Sequence, residues 1–192
     1  MKIGVLALQG DFLEHQKILE SLAVTSSQVR LPGDLNGLDG LIIPGGESTT
    51  IGKLAVDFGL MDPLRSFAMN HAVWGTCAGS IFLSKDARRS QPLLEIMDIQ
   101  VDRNAFGRQV DSFEIDLEIP ALAEVSKNNP PFHAIFIRAP LIKSVTGEAE
   151  SLAELPDGQI VAARQGKWLA TSFHPELTPD DRFHRYFLEM IR

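Results

Sequence analysis

A single cysteine stands in Gly75-Thr76-Cys77-Ala78-Gly79, between the apolar run Ala72-Val73-Trp74 and the helix-compatible run Ser80-Ile81-Phe82-Leu83. A thiol attacks as its thiolate. Where a strand turns sharply into a helix, the corner residue is exposed and neighbouring backbone comes close, so small residues are needed on both sides. The helix N-terminus beside such a corner favours negative charge on sulfur. Cys77 is therefore a candidate nucleophile. The competing reading, a small core residue, leaves the flanking glycines unexplained.

A cysteine nucleophile needs a base that holds it as thiolate and protonates the leaving group. Of the five histidines, His174 has the most telling context, Ser172-Phe173-His174-Pro175-Glu176. In an extended segment, residues two apart share a face, so Glu176 can lie beside the imidazole and fix its tautomer. Pro175 biases His174 towards extended backbone. Cys77, His174 and Glu176 form a candidate catalytic triad. Acyl transfer also needs N–H donors for the oxyanion of the tetrahedral intermediate. Pro44-Gly45-Gly46-Glu47-Ser48 follows an apolar run, and its glycines let backbone N–H groups turn inward. The Gly46 N–H is the first candidate donor and that of Ala78 the second. A plain turn with Ser48 capping the next helix is the alternative for that loop. His15 reads as a core or rim residue on an apolar helix face, His71 as a helix-end residue, and His184 as part of the terminal helix. No Cys/His spacing suggests zinc, and there is no phosphate loop or dinucleotide fingerprint. The expected chemistry uses no metal and no cofactor.

The elements that must position these groups follow from periodicity. Ile3 to Leu8 and Leu38 to Ile43 read as buried strands, and Ala72 to Gly75 as the strand feeding the elbow. Asp11 to Leu22, Thr50 to Phe58 and Pro63 to Asn70 read as helices, with Pro63 in a first turn. Ile99 to Ile119 alternates apolar and polar residues and reads as β, as do Ala134 to Ile137, Ile160 to Ala163 and Trp168 to Ser172. Pro179 opens a final helix through Met190. Alternating strands and helices predict an α/β fold, a three-layer sandwich around a mostly parallel sheet. In such sheets sites gather at the carboxyl ends of strands, where Gln9-Gly10, Pro44-Gly45-Gly46 and Cys77 all fall.

The chain has 192 residues, 44% hydrophobic and 22% charged, which predicts one globular domain over residues 1–192. The formal net charge is −7 with no basic stripe, which argues against a nucleic-acid partner. One cysteine excludes an intramolecular disulfide and fits a reducing compartment. The N-terminal apolar run is too short for a signal peptide, and nothing approaches a membrane span. The expected location is cytoplasmic, with no membrane partner.

Taken together, the cysteine elbow, the Pro-Gly-Gly loop and the late His-Pro-Glu resemble the class I, triad-type glutamine amidotransferases, whose domain is flavodoxin-like. Longer matches are narrower. Leu8-Gln9-Gly10, Pro44 to Thr50, Gly75 to Gly79, Arg103 to Phe113, Phe136-Ile137-Arg138-Ala139-Pro140 and Ser172 to Leu177 are similar to the glutaminase subunits of pyridoxal 5'-phosphate synthases. The Arg103 to Phe113 run separates these from glutaminases that serve imidazole-glycerol phosphate or guanylate synthesis. The resemblance implies that L-glutamine is hydrolysed to glutamate and ammonia, and that ammonia passes to a separate synthase subunit. It implies a large mixed complex in which glutaminases decorate a ring-shaped synthase core. It also implies that Gly46, Glu47 and Ser48 contact glutamine with Arg103, Ile137 and Arg138, and that Gln9-Gly10 faces the synthase. An arginine suits glutamine's α-carboxylate, and an ordinary ion pair is the alternative for Arg103 and Arg138. Intact Cys77, His174 and Glu176 argue against a non-catalytic regulatory subunit; a cysteine peptidase on a similar sheet is the remaining rival. The chain departs from the family at Ser80 and Ser84, where aliphatic residues are expected, and at Glu95, where glycine is usual. Segment 121–131, with Asn128-Asn129-Pro130-Pro131, resembles no motif that can be placed.

Overall fold

The computed structural model describes residues 1–103 and 112–192. Most of the Arg103 to Phe113 run lies outside the described residues. The first half of the chain alternates strands and helices: β1 (Lys2–Leu6), α1 (Phe12–Ser21), β2 (Thr25–Val29), β3 (Gly40–Ile43), α2 (Ser48–Asp57), α3 (Met61–Asn70), β4 (Ala72–Thr76) and α4 (Ala78–Leu83). The second half is richer in strand: β5 (Ser84–Asp86), β6 (Met97–Asp102), β7 (Ser112–Leu117), β8 (Phe132–Ile137), β9 (Leu141–Val145), β10 (Glu150–Glu154), β11 (Ile160–Gln165) and β12 (Trp168–Thr171), closed by α5 (Arg182–Glu189).

The main sheet runs β2-β1-β3-β4-β12-β11-β9-β6-β5, with β10 added on β11, while β7 and β8 form a separate antiparallel ribbon. From β2 to β12 every pairing is parallel; β11 and β9 then run antiparallel to their neighbours. The parallel half brings the carboxyl ends of β1, β3, β4 and β12 to one edge, as parallel α/β topology requires.

Successive residues of the central strands face opposite layers. Leu41, Ile43 and Val73 pack against Ile51 and Ala55 of α2, Leu64 and Phe67 of α3, and Ile81 and Phe82 of α4. Ile3, Val5, Ile42 and Trp74 face the other side, with Leu19 of α1, Phe183 and Phe187 of α5, and Phe132 and Phe136 of β8. The expected three layers are present, and one of them includes the β7–β8 ribbon as well as two helices.

Several boundaries differ from expectation for local reasons. The last helix begins at Arg182 rather than Pro179, because Asp180 accepts from both the Arg182 backbone N–H and its guanidinium and holds Pro179-Asp180 in a turn. Glu47, not Ser48, caps α2, its carboxylate accepting from the Thr49 and Thr50 N–H groups at 3.2 and 2.7 Å. Ser80 and Ser84 are fully buried but satisfied, their hydroxyls donating to the carbonyls of Cys77 and Ile81 at 2.6 and 2.7 Å. Glu95 has φ +59°, a left-handed conformation that glycine adopts without strain. Segment 121–131 is pinned by buried Arg182, which donates to Asn129 Oδ1 and to the carbonyls of Pro130 and Pro131.

Candidate active site

The corner between β4 and α4 has the strain that the elbow implies. Cys77 has φ +46° and ψ −108°, unusual for a residue with a side chain. Neighbouring backbone over-determines it: its N–H donates to Thr171 O at 2.8 Å, and its carbonyl accepts from both the N–H and the hydroxyl of Ser80. The flanking glycines are steric necessities. A Cβ on Gly79 would lie 2.0 Å from Ile43 O, and one on Gly75 would lie 2.5 Å from the Gly79 backbone.

His174 arrives from the end of β12, its N–H donating to Ile135 O of β8 at 2.9 Å. Cys77 lies beside its ring on one side, close enough for the thiol to raise the imidazole's proton affinity. On the other, Nδ1 donates to Glu176 Oε1 at 2.7 Å. The route to Glu176 corrects the sequence expectation. Pro175–Leu177 is a 3-10 turn rather than extended chain, and His174 itself, at φ −108° and ψ 84°, is kept out of the helical region by Pro175 without being fully extended. The turn folds the carboxylate back beneath the ring. Burial pulls the His174 imidazole down, but the bonds and charges of Cys77 and Glu176 outweigh it and hold the ring protonated up to about 10. Burial pushes the Glu176 carboxyl up, opposed by His174.

Pro44-Gly45-Gly46 lies across Cys77. Gly45 donates to Thr76 Oγ1 at 3.1 Å and its carbonyl accepts from Asp11 N at 3.1 Å. The described residues offer no hydrogen-bond acceptor to the Gly46 or Ala78 N–H, as a site for an incoming oxyanion requires. Gln9 turns inward, its Oε1 accepting from Glu47 N at 2.6 Å, and Gly10 (φ +101°) packs so closely that a Cβ there would lie 1.7 Å from Gly45 O.

Cys77, His174 and these loops open into a cavity of about 500 Å³. Every site residue expected from the sequence lines it except Glu176, which lies behind His174: Gln9, Gly10, Gly46, Glu47, Ser48, Ala78, Arg103, Ile137 and Arg138. Arg103 is held there by an ion pair with Glu47 Oε1 at 2.6 Å and donates to Thr49 Oγ1. Burial raises the Glu47 carboxyl, but Thr50, Thr49 and Arg103 together hold it at about 2. Arg138, at φ +44°, has no ion pair among the described residues. Ser48 Oγ is buried without a hydrogen-bond partner among them.

Sequence reasoning did not find four further polar residues. Asp11 Oδ2 lies 3.6 Å from His174 Nδ1. Its carboxyl is raised by burial, against the pull of His174. His15, Thr76 and His184 form a buried chain behind Glu176. The only signal was an imidazole on an apolar helix face, which carries no spacing information. Asp11, His174 and Glu176 bring ligand atoms within 4.8 Å of one another. A cation there would compete with the proton that His174 gives Glu176, so the set reads as a base between two carboxylates.

Comparison with known proteins places the chain in a family. Residues 5–192 match the SNO glutamine amidotransferase family. The chain is 57% identical to pyridoxal 5'-phosphate synthase subunit PdxT of Herpetosiphon aurantiacus, over 98% of this chain and 99% of that protein. It is 56% identical to the PdxT subunit of Moorella thermoacetica, over the full length of both. A solved glutamine amidotransferase superposes with a TM-score of 0.90 at 50% identity, covering 98% of each chain. PurLQS of Thermotoga maritima shares the fold alone, with a TM-score of 0.72 at 12% identity over 100% of this chain and 98% of that one.

Proposed function

The chain belongs to the SNO glutamine amidotransferase family, and from that premise we propose that it is the glutaminase subunit of a pyridoxal 5'-phosphate synthase. The observation that carries this reading is the juxtaposition of Cys77, His174 and Glu176 at a cavity lined by two arginines. The Cys77 thiolate attacks the side-chain amide carbon of L-glutamine. The Gly46 and Ala78 N–H groups receive the oxyanion. His174, oriented by Glu176, protonates the departing ammonia as the tetrahedral intermediate collapses to a γ-glutamyl thioester. It then takes a proton from water, which attacks the thioester and releases glutamate. Arg138 supplies a cation for the α-carboxylate, and Arg103, fixed by Glu47, shapes the same wall. The unpartnered Ser48 hydroxyl is available to the α-amino or carboxylate group.

Residues 1–192 act as one domain in the cytoplasm and deliver ammonia to a synthase subunit. Ammonia needs a protected route, because in neutral water it is mostly ammonium, which is not a nucleophile. The proposed assembly is a ring-shaped synthase core decorated by glutaminases, with Gln9-Gly10 facing the synthase. The bond from Glu47 N to Gln9 Oε1 supports that role, since it ties a docking turn to the oxyanion loop. Among the described residues no helix is long and apolar enough to cross a membrane.

Glutamate release, measured with and without the synthase subunit, tests the reading. Cys77→Ala should abolish turnover; substantial residual activity would sink the assignment. Labelling of Cys77 by a glutamine-analogue electrophile should be blocked by glutamine and not by peptides.

A further inference from the structure

We propose that His15 is a positioning residue for this reaction: one buried imidazole lies against the otherwise unpartnered far oxygen of Glu176 and is hydrogen-bonded to the hydroxyl of Thr76, and so links the catalytic base to the oxyanion loop. The inference rests on the triad reading above and extends it outwards. His15 Nε2 lies 3.4 Å from Glu176 Oε2 and 3.3 Å from Thr76 Oγ1. Thr76 Oγ1 in turn accepts from Gly45 N at 3.1 Å. His15 Nδ1 lies 2.9 Å from His184 Nε2. Both histidines are fully buried, and the edges and faces of their rings meet Trp74 at centroid distances of 5.6 and 4.9 Å.

Proton placement follows from counting donors. Burial keeps both rings neutral, so each has one N–H. If His15 held its proton on Nδ1, its bare Nε2 could take the Thr76 hydroxyl as donor but would face the Glu176 carboxylate, acceptor against acceptor, and His184 would bury an unpaired Nδ1–H. If His15 holds its proton on Nε2, it donates towards Glu176 and Thr76, and His184 Nε2–H donates to His15 Nδ1. The His184 Nδ1 lone pair then lacks a partner, and Glu176 Oε2, which has no hydrogen bond in either case, faces an N–H instead of a lone pair. The chain is thereby polarised towards Glu176. The ionisable groups facing Glu176 are His174, His15 and Asp11, and those facing His15 are Glu176, His174 and His184.

Two substitutions of similar size separate positioning from packing. Glutamine at position 15 places an amide donor where Nε2 stood; asparagine reaches only the position of Nδ1. His15→Asn is expected to lower kcat for glutamine hydrolysis, assayed with the synthase subunit, by about tenfold or more with KM changed less than about twofold. It should also move the His174 ring titration, followed by NMR in the isolated chain, to lower pH. His15→Gln should recover most of kcat and leave that titration in place. Equal kcat in the two variants, or an unmoved His174 titration in His15→Asn, would overturn the proposal. If His15→Asn does not fold, His184→Phe removes the donor to His15 without touching the triad. A downward shift of the His174 titration then supports the proposal, and no shift overturns it. A wild-type chain that fails to hydrolyse glutamine would instead refute the functional reading.

Discussion

Gly45→Ala should disable the site while leaving the fold intact. A Cβ at this position would lie 2.5 Å from His174 Cε1, 3.1 Å from Nδ1 and 3.3 Å from Cys77 Cβ. Non-bonded carbons rest at about 3.5–4.0 Å, so the imidazole or the loop must yield by about 1 Å. The ring cannot simply retreat, because Glu176 holds Nδ1 at 2.7 Å and Ile135 O holds the backbone N–H at 2.9 Å. The loop is held equally, by Thr76 on the Gly45 N–H and by Asp11 on its carbonyl. Gly45 is outside the left-handed region, so alanine brings no backbone strain of its own. The displacement therefore falls on the contact between Cys77 and His174 or on the Gly46 N–H, the proposed oxyanion donor. A misplacement of about 1 Å is worth on the order of a hundredfold in rate, about 2.7 kcal/mol of barrier. The assay is glutamate release at saturating glutamine with the synthase subunit, beside a thermal melt. A kcat within about threefold of wild type and an unchanged melt would refute the steric reasoning.

Two further outcomes follow from single residues. Glu95→Gly relieves a left-handed conformation at an exposed position and should stabilise the chain by about 1 kcal/mol, read as a rise of about 2–4 °C in Tm; an unchanged or lower Tm would contradict the strain argument. His184 is depressed by burial to about 3, so the folded state binds fewer protons than the unfolded one below about 6.5, and its contribution is lost as pH falls from there towards 3. His184→Phe removes that loss: relative to wild type, its stability by urea denaturation should be about 2 kcal/mol better at pH 5 than at pH 8. The same difference at both pH values would mean that His184 is not buried neutral.

The parts of the site legible in the sequence are those made by neighbours in the chain. The Gly75 to Gly79 corner, the Pro44 to Ser48 loop and the His174–Glu176 pair each lie within a few residues, where backbone sterics and short reach decide the outcome. Buried parallel strands such as β3 and β4 were legible too, since continuous apolar runs have few other places to go. Edge strand β2, Thr25-Ser26-Ser27-Gln28-Val29, was not, because a half-exposed edge needs no apolar alternation and its polar residues read as loop. The Pro175 turn was misread because a residue before proline is constrained and the residue after it is not. Tertiary structure alone decided the rest. His15 and His184 stand 169 positions apart, and each by itself is a lone imidazole on an apolar helix. They become partners of each other, with His15 beside Glu176, only because α1 and α5 pack on the same layer over Trp74. The chain could therefore specify its candidate nucleophile, candidate base and proposed substrate loop locally. The groups that orient them required a sheet to bring distant helices into one low-dielectric interior, where every buried donor must find an acceptor.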